Sequence, residues 1–257
     1  MDPAVQAAIQ QSAQECLTAW AAAEETASAH AACSVLELSA GGSFKSSLGT
    51  YTLPATAPTL QVRSVNVLGV GSKSAAAVHV GAAEWQGWMV LLLTGDLWTC
   101  ISAAFSMKVK AILPQDLEAV TRLVWDGYCA ANRACNGEAM AKVFHETCSL
   151  TYAFAGVAQI KDCPTFCHMV AVRYEEDERH IPYAYLQNDP RVVAGDSLLA
   201  VEFATPDLAM VTLKVGHPPF LWTDLLTCAK LNGQWWIVHK SSCSEPFLVD
   251  LKQAEAT

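Results

Sequence analysis

Two pairs of matching segments indicate an internal repeat, which limits the possible folds of this chain more than any other sequence feature. The first pair is Gly95-Asp-Leu-Trp-Thr-Cys-Ile-Ser-Ala-Ala-Phe-Ser106 and Gly233-Gln-Trp-Trp-Ile-Val-His-Lys-Ser-Ser-Cys-Ser244. They align without a gap at an offset of 138 residues (233 − 95), which matches Trp98 with Trp236. Each follows an apolar stretch led by a tryptophan, so each half of the chain is predicted to form a β-hairpin here.

The second pair lies earlier in each half. It comprises His30-Ala-Ala-Cys-Ser-Val-Leu-Glu37 and His145-Glu-Thr-Cys-Ser-Leu-Thr-Tyr152, at an offset of 115 (145 − 30). The offset grows by 23 (138 − 115), and residues 162–182, which have a helical pattern, are extra material of about that size. We therefore predict two domains, residues 1–108 and 109–257, of which the first is a degenerate copy lacking one helix.

The order of predicted elements indicates an α+β fold. In the second half, a helix capped by Asp116 precedes a short helix over residues 138–144, two strands, a helix from Pro164 and four further strands. The first half has a helix over residues 5–23, a short helix over residues 26–32 and then strands. Helices followed by an antiparallel meander are typical of a sheet with helices on one face.

The composition excludes several classes of protein. Hydrophobic residues make up 52% of the 257 residues, so a substantial core is expected, and the net charge of −9 disfavours nucleic acid and anionic membranes as partners. The longest run of large apolar residues, Trp88–Leu93, is far shorter than the ~20 residues that a bilayer requires. No secretory signal is recognisable, and the ten cysteines are expected to be reduced and mostly buried. We expect a cytoplasmic protein.

The second half resembles the nuclear-transport-factor-2-like superfamily, which has the cystatin-like cone fold. The resemblance rests on Tyr128, on Met140-Ala-Lys-Val-Phe-His-Glu-Thr-Cys-Ser-Leu150, on Trp222-Thr-Asp-Leu-Leu226 and on Asn232-Gly-Gln-Trp-Trp-Ile-Val-His-Lys240. Members include ketosteroid isomerase, polyketide cyclases and a branch described as putative lumazine-binding, which the last two segments resemble most. The resemblance implies two tandem cone-shaped, curved antiparallel sheets, each packed on helices, with the first copy degenerate.

The resemblance also implies roles for three residues. Tyr128 and Asp224 correspond to the two hydrogen-bond donors that stabilise the enolate oxygen in ketosteroid isomerases. The position of the carboxylate base is held by Tyr152, and a phenol with a pKa of ~10 is a poor base at neutral pH. Strand alternation places Trp235, Ile237, His239 and Ser241 on one face of the last strand, and the family pattern turns that face into the cone.

We therefore predict a small-molecule pocket in the second cone, without assigning catalytic residues. Its predicted ligand-binding residues are Tyr128, Tyr152, His168, Trp222, Asp224, Trp235 and His239. No cofactor is expected. Cys163, Cys167 and His168 lie within two helical turns without a second pair of ligands, so no metal site is predicted.

Three functions are consistent with these features. The favoured one is binding of a small apolar or aromatic molecule, or a scaffold role, without catalysis. The alternatives are an isomerase- or cyclase-type enzyme that uses His239 or His168 as base, with a carbonic anhydrase-like variant, and a protein-interaction module. Trp98 and Trp236 are predicted to lie on the convex faces, where the two sheets would pack together as an intramolecular pseudo-dimer; a homodimer is also conceivable.

Overall fold

A computed structural model describes most of the chain. The described residues are 3–22, 34–38, 44–48, 61–68, 75–81, 85–94, 97–107, 112–154, 157–172, 193, 195–217 and 220–247. The predicted short helix over residues 26–32 and the end of the inserted segment, residues 173–182, lie outside them.

Two six-stranded sheets form the framework of the described part of the chain. The strands of the first are β1 (Ser34–Leu38), β2 (Phe44–Leu48), β3 (Gln61–Leu68), β4 (Ala75–Gly81), β5 (Trp85–Thr94) and β6 (Leu97–Met107). Those of the second are β7 (Phe144–Phe154), β8 (Val157–Asp162), β9 (Ser197–Thr205), β10 (Leu208–His217), β11 (Phe220–Leu231) and β12 (Gln234–Pro246). The strand orders are β2-β1-β6-β5-β4-β3 and β8-β7-β12-β11-β10-β9. In each sheet, all pairs are antiparallel except β1–β6 and β7–β12, which are parallel. The predicted α+β class is confirmed.

The pairing registers of the two sheets correspond at an offset of 137, one residue less than the sequence alignment gives. Thr94 pairs with Leu97 as Leu231 pairs with Gln234, which makes Trp98 equivalent to Trp235 (235 − 98 = 137). The predicted equivalence of Trp98 and Trp236 is therefore wrong. A gapless alignment through the tryptophan pair could not distinguish between these two neighbours.

The helices lie before the strands of each half, with one more inserted in the second. They are α1 (Pro3–Ala22), α2 (Pro114–Arg122), α3 (Ala130–Arg133), α4 (Gly137–Ala141) and α5 (Cys163–Ala171). A π-helical turn, Leu123–Cys129, joins α2 to α3 without a break in helical backbone conformation. None of the described helices is long and apolar enough to cross a membrane.

Asp116 does not cap α2 as predicted. Leu113 holds the N-cap position, and Asp116 is buried in the first turn. Its carboxylate accepts hydrogen bonds from Lys230 Nζ at 2.6 Å and Trp235 Nε1 at 3.3 Å. Burial opposes the charge, but these two donors hold the pKa of Asp116 below its usual value. Asp116 thus joins the helix to the second sheet.

Three apolar clusters define the cores. One lies between α1 and the first sheet and includes Ile9 and Leu17, and Trp98 packs against it. A second lies between the second sheet and the helices α2 to α5. The third joins the two sheets, because it contains Trp88 and Ile101 from the first together with Met210, Leu225 and Val238 from the second. Trp236 packs against this third cluster, whereas Trp98 faces the opposite way.

Candidate functional site

A cavity of about 490 Å³ lies on the helix side of the second sheet. Its walls are mainly apolar, and polar side chains converge at two places. This combination is typical of small-molecule sites. The lining residues are Tyr128, Asn132, Leu150, Thr151, Tyr152, Gln159, Lys161, Phe166, Met169, Val215, His217, Phe220, Trp222, Asp224, Lys240 and Ser242.

One polar group is centred on Asp224 and is called the Asp224 cluster here; its other members are Tyr128, Lys240 and Ser242. The Tyr128 hydroxyl donates to Asp224 Oδ2 at 2.6 Å, and Lys240 Nζ and Ser242 Oγ donate to Asp224 Oδ1 at 2.5 and 2.7 Å. Lys240 Nζ also donates to Ser242 Oγ. Asp224 and Lys240 therefore form a buried ion pair, with side chains only 1% and 7% exposed.

The geometry of the Asp224 cluster differs from the donor role that the resemblance implies for Asp224. Its carboxylate accepts three hydrogen bonds, one of them from the predicted tyrosine donor itself. A carboxylate that accepts from an ammonium group has no proton to give to a substrate oxygen. The cluster is a preformed polar patch in the cavity wall.

A β-bulge determines which side chains of β12 reach the cavity. Thr227 pairs with His239 and Cys228 with Ile237, so Val238 is an extra residue in β12. An extra residue inverts the alternation of the side chains that follow it. Consequently Lys240 and Ser242 line the cavity, and His239 lies on the face that packs against the first sheet.

His239 is therefore not a residue of the cavity, contrary to the prediction. It is fully buried and hydrogen-bonded to Ser149 Oγ through Nδ1 and to Ser241 Oγ through Nε2, both at 2.9 Å. Burial, reinforced by the charge of Lys240, lowers the pKa of His239 to about 3. A neutral, enclosed imidazole of this kind is a structural element.

Two further predicted residues lie elsewhere. Trp235 is buried in the core between the second sheet and the helices, with its ring edge-on to Phe203 and its Nε1 on Asp116. His168 is exposed on α5. Nearby, the thiols of Cys163 and Cys167 are 3.8 Å apart, and within the described ranges no three His, Cys, Asp or Glu side chains are grouped to hold a metal ion.

The second polar group lies on β7 and β8 and is called the mouth here, since Gln159 is exposed and Tyr152 and Lys161 are partly exposed. The Tyr152 hydroxyl donates to Gln159 Oε1 at 2.8 Å. Lys161 Nζ lies 5.8 Å from the centre of the Tyr152 ring, within the range of a cation–π contact. Tyr152 thus lines the cavity, as does Trp222.

The π-helical turn positions Tyr128. A Cβ at Gly127 would meet Val143 Cγ1 at 2.6 Å, so only glycine lets this turn approach the start of β7 so closely. The adjacent Tyr128 ring packs edge-on against Phe144 with centroids 5.9 Å apart, and Phe144 packs in the same way on Phe166 of α5. π-Helical turns often occur at functional sites, where they redirect a side chain.

Sequence reasoning missed seven polar residues of the cavity lining: Asn132, Thr151, Gln159, Lys161, His217, Lys240 and Ser242. Regular alternation across Val238 turns His239 and Ser241 inward, so it does not predict that Lys240 and Ser242 line the cavity. For Gln159 and Lys161 a signal existed, since they alternate along β8, the strand that pairs with Tyr152. Strand pairing of β8 with β7 would have placed Gln159 directly opposite Tyr152.

The architecture and the cavity define a class: an α+β domain whose curved sheet and helices enclose a pocket. Residues 115–241 match a family described as "Putative lumazine-binding". This match supports the nuclear-transport-factor-2-like resemblance of this part of the chain. No curated protein is significantly similar to the chain.

Several solved structures are similar to about half of the chain. A protein of unknown function from Silicibacter pomeroyi, described as NTF-2 like, has 20% identity and a TM-score of 0.41, and the match covers 51% of this chain and 97% of that one. A ketosteroid isomerase-like protein from Erwinia carotovora atroseptica has 11% identity and a TM-score of 0.36 over 51% and 98%. A "Putative Scytalone Dehydratase" from Novosphingobium aromaticivorans has 15% identity and a TM-score of 0.35 over 52% and 89%.

Proposed function

We propose that the protein binds a small, largely apolar molecule in the cavity of its second half. The observation that carries this proposal is the cavity itself, which combines about 490 Å³ of volume and mainly apolar walls with the Asp224 cluster. Aromatic surfaces from Phe166, Phe220 and Trp222 suit a flat ring system. The Asp224 cluster would fix the orientation of one polar group of the ligand.

Binding is favoured over proton abstraction because of how the polar side chains are engaged. Asp224 is held by three donors, and the hydroxyl of Tyr152, at the position of the family's base, donates to Gln159. Neither residue offers a free basic oxygen to a substrate C–H bond, and His239 lies outside the cavity. These arrangements support a ligand-binding protein.

We further propose that the two halves, residues 1–108 and 109–257, are copies of one domain that form an intramolecular pseudo-dimer. The shared strand order supports this, as do the equivalent bulges at Ile101 in β6 and Val238 in β12. The apolar cluster between the sheets supports the paired arrangement.

A thermal-shift panel of small aromatic compounds tests the binding proposal. A ligand at about 100 times its Kd should raise the free energy of unfolding by about 2.7 kcal/mol. Met169→Trp is the test variant, because Met169 is 39% exposed at the rim and a larger ring there would occupy the cavity. Met169→Leu is the matched control and should keep the ligand-induced shift.

The proposal would be refuted by either of two results. One is the absence of a shift across a broad panel. The other is an equal shift for Met169→Trp and the natural protein, since that would mean that the compounds bind elsewhere.

A further inference from the structure

The described lining of the cavity carries a net positive charge within an acidic protein. Its charged side chains are Lys161, Lys240 and Asp224, which leaves one unit of positive charge with histidine counted as neutral. The whole chain has a net charge of −9. Arg133 and Asp196 are not lining residues; Arg133 Nε lies 3.0 Å from Asp196 Oδ2, so this ion pair adds no net charge.

The excess charge is located at Lys161. Lys240 is already neutralised by Asp224 at 2.5 Å. Lys161 makes a cation–π contact with Tyr152, and it forms no ion pair with any residue in the described part of the chain. Most lysines without a partner are simply solvated, but this one lies over an aromatic ring that is itself part of the cavity wall.

Gln159 adds a second donor at the same place. Its carbonyl oxygen accepts from the Tyr152 hydroxyl, so its amide N–H groups are directed elsewhere, and no described residue accepts from them. Gln159 and Lys161 are two positions apart on β8 and therefore face the same side of the sheet. An ammonium and an amide donor at the mouth form a site for an anionic oxygen.

Strand pairing places Lys161 and Lys240 at different sites in the cavity wall. Lys161 pairs across to Leu150 of β7, and Leu150 pairs to Lys240 of β12. With strands spaced ~4.8 Å apart, their Cα atoms are about 10 Å from each other. An anion beside Lys240 would also face the Asp224 carboxylate. Beside Lys161, no acidic side chain belongs to the described lining, and the partly exposed position keeps the desolvation cost of an anion small.

We propose that the ligand is a monoanion, an aromatic or alicyclic acid whose carboxylate or sulfonate binds Lys161 and Gln159 at the mouth. Its apolar body would lie against Phe166 and Trp222, pointing towards the Asp224 cluster. This inference rests on the proposed binding function and adds the charge and orientation of the ligand.

Two fluorescent dyes test it, because they share the same rings and differ in charge. They are 8-anilinonaphthalene-1-sulfonate, an anion, and N-phenyl-1-naphthylamine, its neutral counterpart. We expect the anion to bind the natural protein about tenfold more tightly, and Lys161→Gln to weaken it about five- to tenfold without affecting the neutral dye. Lys142→Gln, which removes an exposed lysine that does not line the cavity, should change neither affinity.

The outcomes separate this inference from the binding proposal. If both dyes bind with equal affinity, lose binding in Met169→Trp and ignore Lys161→Gln, the cavity binds ligands but the inferred anion site is wrong. If neither dye responds to Met169→Trp, the binding proposal itself fails. If Lys142→Gln weakens the anion as much as Lys161→Gln does, the effect is one of overall charge, and the inferred site is overturned.

Discussion

The buried pair of Asp224 and Lys240 gives the sharpest test of the site's construction. Removing one member of a buried ion pair leaves the other charged and desolvated, which costs about 3 to 5 kcal/mol. The low exposure of both side chains, 1% and 7%, means that water cannot substitute for the missing partner. Replacing both together should cost much less, about 1 to 2 kcal/mol, because no charge is stranded.

The hydrogen bonds around the pair predict which single change is worse. Lys240→Met removes two hydrogen bonds, but Asp224 keeps Tyr128 and Ser242 as donors. We therefore expect the free energy of unfolding to fall by about 3 kcal/mol. Asp224→Asn leaves the Lys240 ammonium with only the Ser242 hydroxyl and a neutral amide as partners. We therefore expect the free energy of unfolding to fall by about 5 kcal/mol.

Urea unfolding followed by circular dichroism measures these values for the two single variants and for the double variant Asp224→Asn/Lys240→Met. The expected coupling energy is several kcal/mol, and it must exceed the ~0.5 kcal/mol typical of independent sites. Single variants that each lose less than about 1 kcal/mol would refute the reasoning. So would a double variant whose loss equals the sum of the two.

Three further changes test other parts of the structure. Because the folded pKa of His239, about 3, lies below the ~6.5 of an unfolded histidine, its contribution to stability is complete above about pH 6.5 and decreases as the pH falls. In the natural protein, His239 should therefore lower the free energy of unfolding by about 2 kcal/mol between pH 6.5 and 5, and His239→Gln should abolish this contribution. Urea unfolding of both proteins across this pH range measures it; an equal fall in both would contradict the prediction. Trp236→Asp places a charge against the cluster between the sheets and should lower the free energy of unfolding by about 2 kcal/mol in the same assay; an unchanged free energy of unfolding would argue against that packing. Gly127→Ala should cost about 1 to 3 kcal/mol, and Val143→Ala added to it should recover part of the loss; a double variant no more stable than Gly127→Ala would exclude the contact as its cause.

Local sequence patterns predicted much of the second half. The apolar spacing indicated the helical run that holds Tyr128, and Asn232-Gly233 closes the last hairpin with positive φ angles of 50° and 82°, as a tight two-residue turn requires. Both features depend on residues close together in the chain, which is why the sequence reveals them. The expectation that Tyr128, Tyr152, Trp222 and Asp224 line the cavity came instead from the resemblance to the nuclear-transport-factor-2-like superfamily.

The errors arose where distant residues decide the local conformation. Nothing near Val238 marks a bulge, because the bulge reflects how β12 pairs with β11, and no glycine stands there as a sign. Asp116 has the right position for a helix cap, but Lys230 and Trp235 hold its carboxylate from the sheet more than a hundred residues away. In both cases the tertiary partner overrides the local preference of the residue.

The shared register shows how the first sheet differs at the positions of the buried ion pair. At an offset of 137, the positions of Asp224 and Lys240 correspond to Gly87 and Ala103 in the first sheet, which carry no charge (224 − 87 = 137, 240 − 103 = 137). Ala103 belongs to the apolar cluster in which α1 covers that sheet. A small side chain there lets a helix pack where the second sheet holds its ion pair. We therefore expect changes at Ala103 to alter stability alone, whereas changes at Lys240 should alter both stability and ligand binding.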